Sequence, residues 1–168
     1  MELPLTPLDF LARARRLFAD REGVVDGEQV WTYAAFAERC DRLGHTLQRD
    51  LGVRPGEVVA WLCGNTHELL EAYYGVLLAG GVLLPLNIRL ASAELRTILD
   101  DSGAVALFRH PDQPDPHPPV RSILLDDAYE ARLAAQPPGL VDTPPVDERA
   151  PAELFYTSGS TARPRERS

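Results

Sequence analysis

Between residues 58 and 108, continuous apolar runs alternate with amphipathic ones, and this constrains the fold more than any other feature. Val58-Val59-Ala60-Trp61-Leu62-Cys63 is apolar throughout. Residues 66–79 follow with Leu69, Leu70, Tyr73 and Leu77 at helical spacing, and Val82-Leu83-Leu84-Pro85-Leu86 is again wholly apolar. Ser92 is placed to cap a helix running through Leu95 and Leu99 to residue 100, and Ala104-Val105-Ala106-Leu107-Phe108 closes the series. A strand exposed on one face alternates apolar and polar residues, whereas a continuously apolar strand is covered on both. Strands of the second kind separated by amphipathic helices predict an α/β fold: a predominantly parallel sheet with helices on both faces.

The flanks fit around that unit. Thr6-Pro7-Leu8-Asp9 combines a capping residue, proline in the first turn and an acid, and so starts a helix. Val24-Val25-Asp26-Gly27-Glu28-Gln29-Val30-Trp31 predicts a small antiparallel hairpin turning at Asp26-Gly27. Thr32 then caps a helix whose stripe is Phe36, Cys40, Leu43 and Leu47, with His45 off the stripe and assigned to solvent; Gly52 ends it. Beyond residue 108, a proline-rich connector at 110–119 leads to a strand at 123–125 and a short helix at 127–135. A second proline-rich connector, 137–151, leads to a last strand at 153–156.

Composition excludes several function classes. A net charge of −8 argues against nucleic acid, which demands clustered Lys and Arg. Two cysteines, Cys40 and Cys63, each inside an apolar pattern, read as buried free thiols in a reducing, cytoplasmic setting. Residues 72–88 are uncharged but broken by Gly80-Gly81 and Pro85, and fall short of the roughly 20 residues a membrane span needs. No secretory leader is visible, because Glu2, Asp9 and Asp20 interrupt any apolar run. His110 and His117 with Asp112 and Asp115 match no metal-ligand spacing, and Gly64-Asn65-Thr66 reads as a turn and cap.

The carboxyl-terminal stretch carries the chemistry. Leu154-Phe155-Tyr156 leads into Thr157-Ser158-Gly159-Ser160-Thr161-Ala162-Arg163-Pro164-Arg165. Small hydroxyl residues around a glycine, with a cation nearby, supply what a phosphate-holding loop requires: accessible N–H groups and hydroxyl donors. The spacing is not that of the common NTPase loop, which ends in Lys followed by Ser or Thr. It resembles instead the Y-T-S-G-[ST]-T-G-x-P-K-G signature of the AMP-forming acyl-CoA synthetase and adenylation-domain superfamily. Tyr156 to Thr161 and Pro164 match it, while Ala162 and Glu166 stand for glycines and Arg165 for lysine. Trp31-Thr32-Tyr33, then Gly52-Val53-Arg54-Pro55-Gly56-Glu57-Val58-Val59-Ala60, and Leu78-Ala79-Gly80-Gly81-Val82-Leu83-Leu84-Pro85-Leu86-Asn87 with Arg89-Leu90, resemble earlier family segments in the same order.

The resemblance implies a two-step ligation. A carboxylate attacks the α-phosphate of ATP, pyrophosphate leaves, and a thiol, usually of coenzyme A, displaces AMP. On this implication Thr157, Ser158, Gly159, Ser160, Thr161 and Arg165 bind the ATP phosphates, and Thr157 contributes to binding Mg²⁺. Ala162 and Glu166 weigh against that loop, the first by losing freedom at positive φ and the second by adding negative charge. The family's adenine pocket, acyl pocket and catalytic lysine are expected downstream, so no catalytic residue is assigned within residues 1–168. The expectation is an amino-terminal fragment of a ligase for a small carboxylic acid, inactive alone and with an exposed sheet edge. The rivals are a stand-alone non-catalytic α/β binding module and a flavodoxin-like domain using Gly64-Asn65-Thr66 for phosphate.

Overall fold

The computed structural model describes residues 6–156, as two sheets and a set of helices. Helix α1 (Pro7–Leu17) opens where Thr6 N–H donates to Asp9 Oδ2 at 3.0 Å. Strands β1 (Glu22–Asp26) and β2 (Gln29–Thr32) form the antiparallel hairpin, a two-stranded sheet of its own. Its two-residue loop is Gly27-Glu28, one position later than predicted, because Asp26 still pairs with Gln29. Gly27 takes φ +59°, the left-handed conformation such a tight connection requires.

Thr32 caps α2 (Tyr33–His45) as expected, its hydroxyl accepting from Ala35 N–H at 3.2 Å. The helix does not run on to Gly52: it passes into a π-helical turn, Thr46–Asp50, before Gly52 at φ +67°. The stripe Phe36, Cys40, Leu43 and Leu47 is buried throughout. His45 is also buried, against the expectation of solvent, because its Nε2 lies 3.2 Å from the Gly139 carbonyl of the second proline-rich connector.

The main sheet contains β3 (Val58–Leu62), β4 (Val82–Pro85), β5 (Ala106–Arg109) and β6 (Arg121–Leu124), all parallel, in the order β4-β3-β5-β6. Helix α3 (His67–Leu78) connects β3 to β4, and α4 (Ser92–Ser102) connects β4 to β5. The path moves one way across the sheet and then back past β3. Because crossovers are right-handed, that reversal sends the two helices to opposite faces. Residues 59, 61 and 63 accordingly pack with Ala72 and Val76 of α3, while Ala60 and Leu62 pack with Leu95, Ile98 and Leu99 of α4. Helix α5 (Asp127–Ala134) joins the α3 face through Tyr129 and Leu133, and Asp126 caps it by accepting from Ala128 N–H at 2.9 Å. The N-cap position of α4 is Ala91, not Ser92: Glu94 reaches back to accept the Ala91 N–H at 2.9 Å.

Helix α2 packs along α3, and Gly75 makes the close approach possible. A Cβ there would lie 2.6 Å from Leu43 Cδ2. The hairpin and α1 cover the outer side of this layer, Val24 and Leu11 packing on Phe36, Ala37 and Cys40 of α2. No described helix is long and apolar enough to cross a membrane.

The predicted strand at 153–156 is reduced to one parallel bridge, Leu83 to Glu153. Leu83 N–H donates to Ala152 O at 3.0 Å and Leu154 N–H donates to Leu83 O at 2.8 Å. The next donor in that ladder belongs to Pro85, which has no N–H, so the pairing stops after one step. Leu154 and Tyr156 still pack on the α4 face.

Candidate functional site

The predicted phosphate-loop residues Thr157, Ser158, Gly159, Ser160, Thr161 and Arg165 lie outside the described residues. The described chain runs up to them beside β4. At its last position Tyr156 donates its hydroxyl to Asp101 Oδ2 of α4 at 2.5 Å, and burial, with that carboxylate beside it, pushes the phenol up to about 12.

The parallel sheet has its own ligand-prone end. Open α/β sheets bind outside the carboxyl ends of their strands, where neighbouring connections leave on opposite faces. Here that point lies between β3 and β5, and Gly64-Asn65-Thr66 sits on it. Thr66 occupies the N-cap position of α3, but its hydroxyl donates to Cys63 Sγ at 3.7 Å rather than accepting from the helix. The carboxylate serving that helix end comes from the hairpin: Asp26 Oδ2 accepts the His67 N–H at 3.0 Å. This brings together residues that sequence spacing did not single out.

Around His67 the structure builds a connected polar cluster between the hairpin, α2, α3 and α5. Asp26 Oδ2 lies 2.8 Å from His67 Nδ1, and Glu68 Oε2 lies 3.3 Å from the same nitrogen. The ring stacks on Trp31 with centroids 4.4 Å apart, and Arg39 lies over the other ring system at 5.5 Å from the Trp31 centroid. Arg39 forks onto Glu130 at 2.8 and 2.6 Å and also donates through Nε to Glu71. Glu71, whose side chain is fully buried, accepts from the Tyr129 hydroxyl at 2.7 Å on its second oxygen.

The electrostatics follow from this wiring. Burial raises the Glu71 carboxyl, opposed by the Arg39 guanidinium and the Tyr129 hydroxyl. Burial works against charge on His67, yet Glu130 and Asp26 lift it to about 9. Contact with His67 and Arg39 draws Glu130 down to about 2. A cavity of about 300 Å³ opens beside the cluster, with Val24, Val25, Leu69, Leu70 and Tyr73 as apolar wall and Asp26, Asn65, Thr66 and His67 as polar end.

The other sequence candidates separate. His110 pairs with Asp112 at 2.6 Å, while Asp115 accepts the His117 N–H at 2.7 Å and pairs with Arg109 at 3.2 Å, so the four residues form two local pairs. Among the described residues, the group with donor atoms close enough to share a cation is Asp26, His67 and Glu68. Cys40 and Cys63 are free and buried, and burial pushes the Cys63 thiol up to about 11.

Comparison with known proteins identifies the fold first. The N-terminal domain of FACL13 from Mycobacterium tuberculosis superposes with a TM-score of 0.76 at 26% identity, over 89% of this chain and 41% of that one. The anthranilate CoA ligase AuaEII, solved with anthranoyl-AMP, gives a TM-score of 0.82 over 95% of this chain and 32% of that one. At 21% identity that second likeness speaks to fold alone. The architecture is that of the amino-terminal domain of adenylate-forming ligases.

The family is then fixed by sequence: residues 11–165 match the AMP-binding enzyme family, and the chain belongs to it. A feruloyl-CoA synthase of Amycolatopsis is 36% identical over 91% of this chain and 31% of its own length. A probable acyl-activating enzyme 21 of Arabidopsis thaliana is 31% identical over 97% of this chain and 33% of its own. The chain thus spans about a third of the length of these curated relatives. The flavodoxin-like alternative is set aside by the family match, although the sheet shares its reversal of strand order.

Proposed function

We propose that residues 1–168 form the amino-terminal part of an ATP-dependent, AMP-forming carboxylic acid–CoA ligase, with 110–119 and 137–151 as its proline-rich connectors. The observation that carries this is the family match over residues 11–165, which takes in most of the hydroxyl–glycine loop. The relatives' names support the reaction class, among them a feruloyl-CoA synthase and a 4-hydroxybutyrate–CoA ligase. The substrate is a small carboxylic acid, and Cys40 and Cys63, free and buried, suit a cytoplasmic enzyme.

The donor set of the loop fits a polyphosphate. Backbone N–H groups around Gly159, the hydroxyls of Thr157, Ser158, Ser160 and Thr161, and the Arg165 guanidinium all donate and none requires a proton transfer. Such donors stabilise charge as it moves onto the leaving pyrophosphate without reorganising. Thr157 offers a hard oxygen suited to Mg²⁺. Arg165 keeps the cation of the family's lysine on a broader, planar fork. Coenzyme A, as the family's usual acceptor, supplies the thiol that takes the acyl group.

The 168-residue chain alone is expected to give no turnover, since its relatives use about three times this length. Losing orientation of the reacting groups removes roughly 7 to 11 kcal/mol of catalysis. The test therefore uses a protein of the relatives' length carrying these residues. Thr157→Ala, Ser158→Ala and Thr161→Ala should each slow acid-dependent pyrophosphate exchange with little change in KM for the acid. Removal of one oxyanion-type donor costs about 3 to 4 kcal/mol in the transition state. Unchanged exchange in all three variants overturns the loop assignment. A specific observation favours the second reading, a non-catalytic binding module: both faces of the sheet are already covered by described helices. Cooperative unfolding of the 168-residue chain with micromolar ATP affinity would select it.

A further inference from the structure

The polar cluster at the start of α3 is not used by the adenylation chemistry of the loop, and its wiring leaves one carboxylate oxygen unserved. Glu68 Oε2 is shielded from solvent and accepts no hydrogen bond from the described residues. It faces His67 Nδ1 at 3.3 Å, but the nearer acceptor there is Asp26 Oδ2 at 2.8 Å. A ring nitrogen carries one hydrogen and cannot serve both carboxylates well. Glu68 Oε2 thus has an ion-pair contact but no hydrogen bond, and a shielded anionic oxygen left so costs more than a neutral one. A cation between the three groups satisfies all of them at once.

The geometry suits such an ion. Asp26, His67 and Glu68 each offer one donor atom, and the three atoms lie within 4.8 Å of one another. Transition cations bind imidazole nitrogen and carboxylate oxygen at about 2.0–2.2 Å, so small side-chain rotations close the set. One imidazole and two carboxylates arriving from one side leave positions open for water or a ligand. The adjoining cavity of about 300 Å³ already has Asp26 and His67 in its wall.

The surroundings act as outer support. The other ring nitrogen, Nε2, lies 3.9 Å from Glu130 Oε1, an ion-pair distance beyond a hydrogen bond, and Arg39 holds Glu130 with two bonds. A histidine ligand that directs its second nitrogen to a fixed carboxylate is the common arrangement around bound metals, because it sets tautomer and ring orientation. Trp31, stacked on the ring, holds it from the side. Asp26, Glu68 and Glu130 surround the His67 ring, with Glu71 behind them on Arg39; four carboxylates against Arg39 and His67 leave the local balance negative.

We propose that Asp26, His67 and Glu68 form a binding site for a divalent transition cation such as Zn²⁺, tying the hairpin to the start of α3 with open positions toward the cavity. His67 binds through the Nδ1 lone pair and keeps its hydrogen on Nε2 toward Glu130; a proton carried on Nδ1 leaves to solvent.

The test titrates the chelator-treated 168-residue chain with ZnCl₂ by calorimetry, and with CoCl₂ followed by its visible d–d absorption. One saturable equivalent per chain is expected for both ions. The near-isosteric variants Asp26→Asn and Glu68→Gln should lose that equivalent while keeping the far-ultraviolet spectrum of the parent. Glu130→Gln should weaken it by about 10- to 100-fold, as removing outer support does. Should a variant misfold, the unmutated chain still decides: Zn²⁺ should move the Nδ1 resonance of His67 in long-range ¹H–¹⁵N spectra. No saturable binding overturns the proposal and leaves an imidazolium held by the same carboxylates. Full-strength binding in Glu68→Gln, or a shift confined to His45, His110 or His117, overturns it equally.

Discussion

The two faces of the parallel sheet are covered on opposite principles. On the α4 face the core is aliphatic: Ala60, Leu62, Leu84, Leu95, Ile98, Leu99 and Leu107, and the buried charged groups among the described residues, Asp41 and Glu71, lie on α2 and α3 instead. On the α3 face Trp61 stacks on Phe108 at 4.2 Å, Tyr129 meets both edge-on, and the same Tyr129 hydroxyl donates to buried Glu71. The first face needs only apolar bulk of the right volume. The second is held by directional bonds that are satisfied only when α2, α3, α5 and the hairpin all sit in register. The difference teaches where the molecule is forgiving and where it is specified.

The largest effect is expected from the specified face. Glu71→Ala removes the acceptor of both the Arg39 guanidinium and the Tyr129 hydroxyl inside the protein. Breaking a buried pair by removing one partner costs roughly 3–5 kcal/mol, which urea unfolding of the variant would read. Replacing Arg39 and Glu71 together with Met and Leu should recover part of the loss, because no charge is then left buried and unpaired, while the buried Tyr129 hydroxyl still lacks its acceptor. A double variant no more stable than Glu71→Ala would show that the hairpin depends on the charges themselves.

On the aliphatic face, Leu95→Ala should cost about 3 kcal/mol, within the range for emptying a buried leucine site. Leu95 has no exposed surface and packs within the aliphatic cluster, so its loss should be insensitive to salt. A salt-dependent change would mean that the two faces are coupled. Gly75→Ala probes the close contact of α3 with α2. The added methyl meets Leu43 and should cost about 1–3 kcal/mol by overpacking, partly offset by about 1 kcal/mol of helix propensity. A net loss near 1 kcal/mol in thermal unfolding is expected.

The same contrast explains what the sequence revealed. The aliphatic pattern was legible because continuous apolar runs and helical spacing are local properties, and β3, β4, β5, α3 and α4 lie where periodicity places them. The strand order and the reversal at β3 came from handedness and packing, which no window of residues contains. The polar cluster was overlooked for a related reason. Its only local trace is the spacing of His67, Glu68 and Glu71 on one side of α3, and its partners Asp26, Arg39, Tyr129 and Glu130 are distant in the chain. His45 was misassigned because a connector ninety-four positions away supplies its acceptor. The last strand failed through a local rule that was available: Pro85 has no hydrogen to donate, yet the apolar run suggested a full ladder.

The smallest effect is expected where the aliphatic face receives a directional bond from the approach to the proposed phosphate loop. Tyr156 packs against the α4 cluster and donates to Asp101 at 2.5 Å, but Tyr156 is only partly buried and the pair faces solvent. A bond to a charged acceptor is strong when dry and weak when water competes for both ends. Tyr156→Phe keeps the ring and its packing while deleting the hydroxyl, so the stability change isolates the bond. A loss of about 0.5 kcal/mol is expected, comparable with other exposed polar pairs, and raised salt should shrink it further. Asp101→Asn should cost less than Tyr156→Phe, since an amide oxygen can still accept from the hydroxyl. A loss near 2 kcal/mol in Tyr156→Phe would instead mean that the run-up at 153–156 is anchored as firmly as the polar face, and that α4 helps to position the loop beyond it.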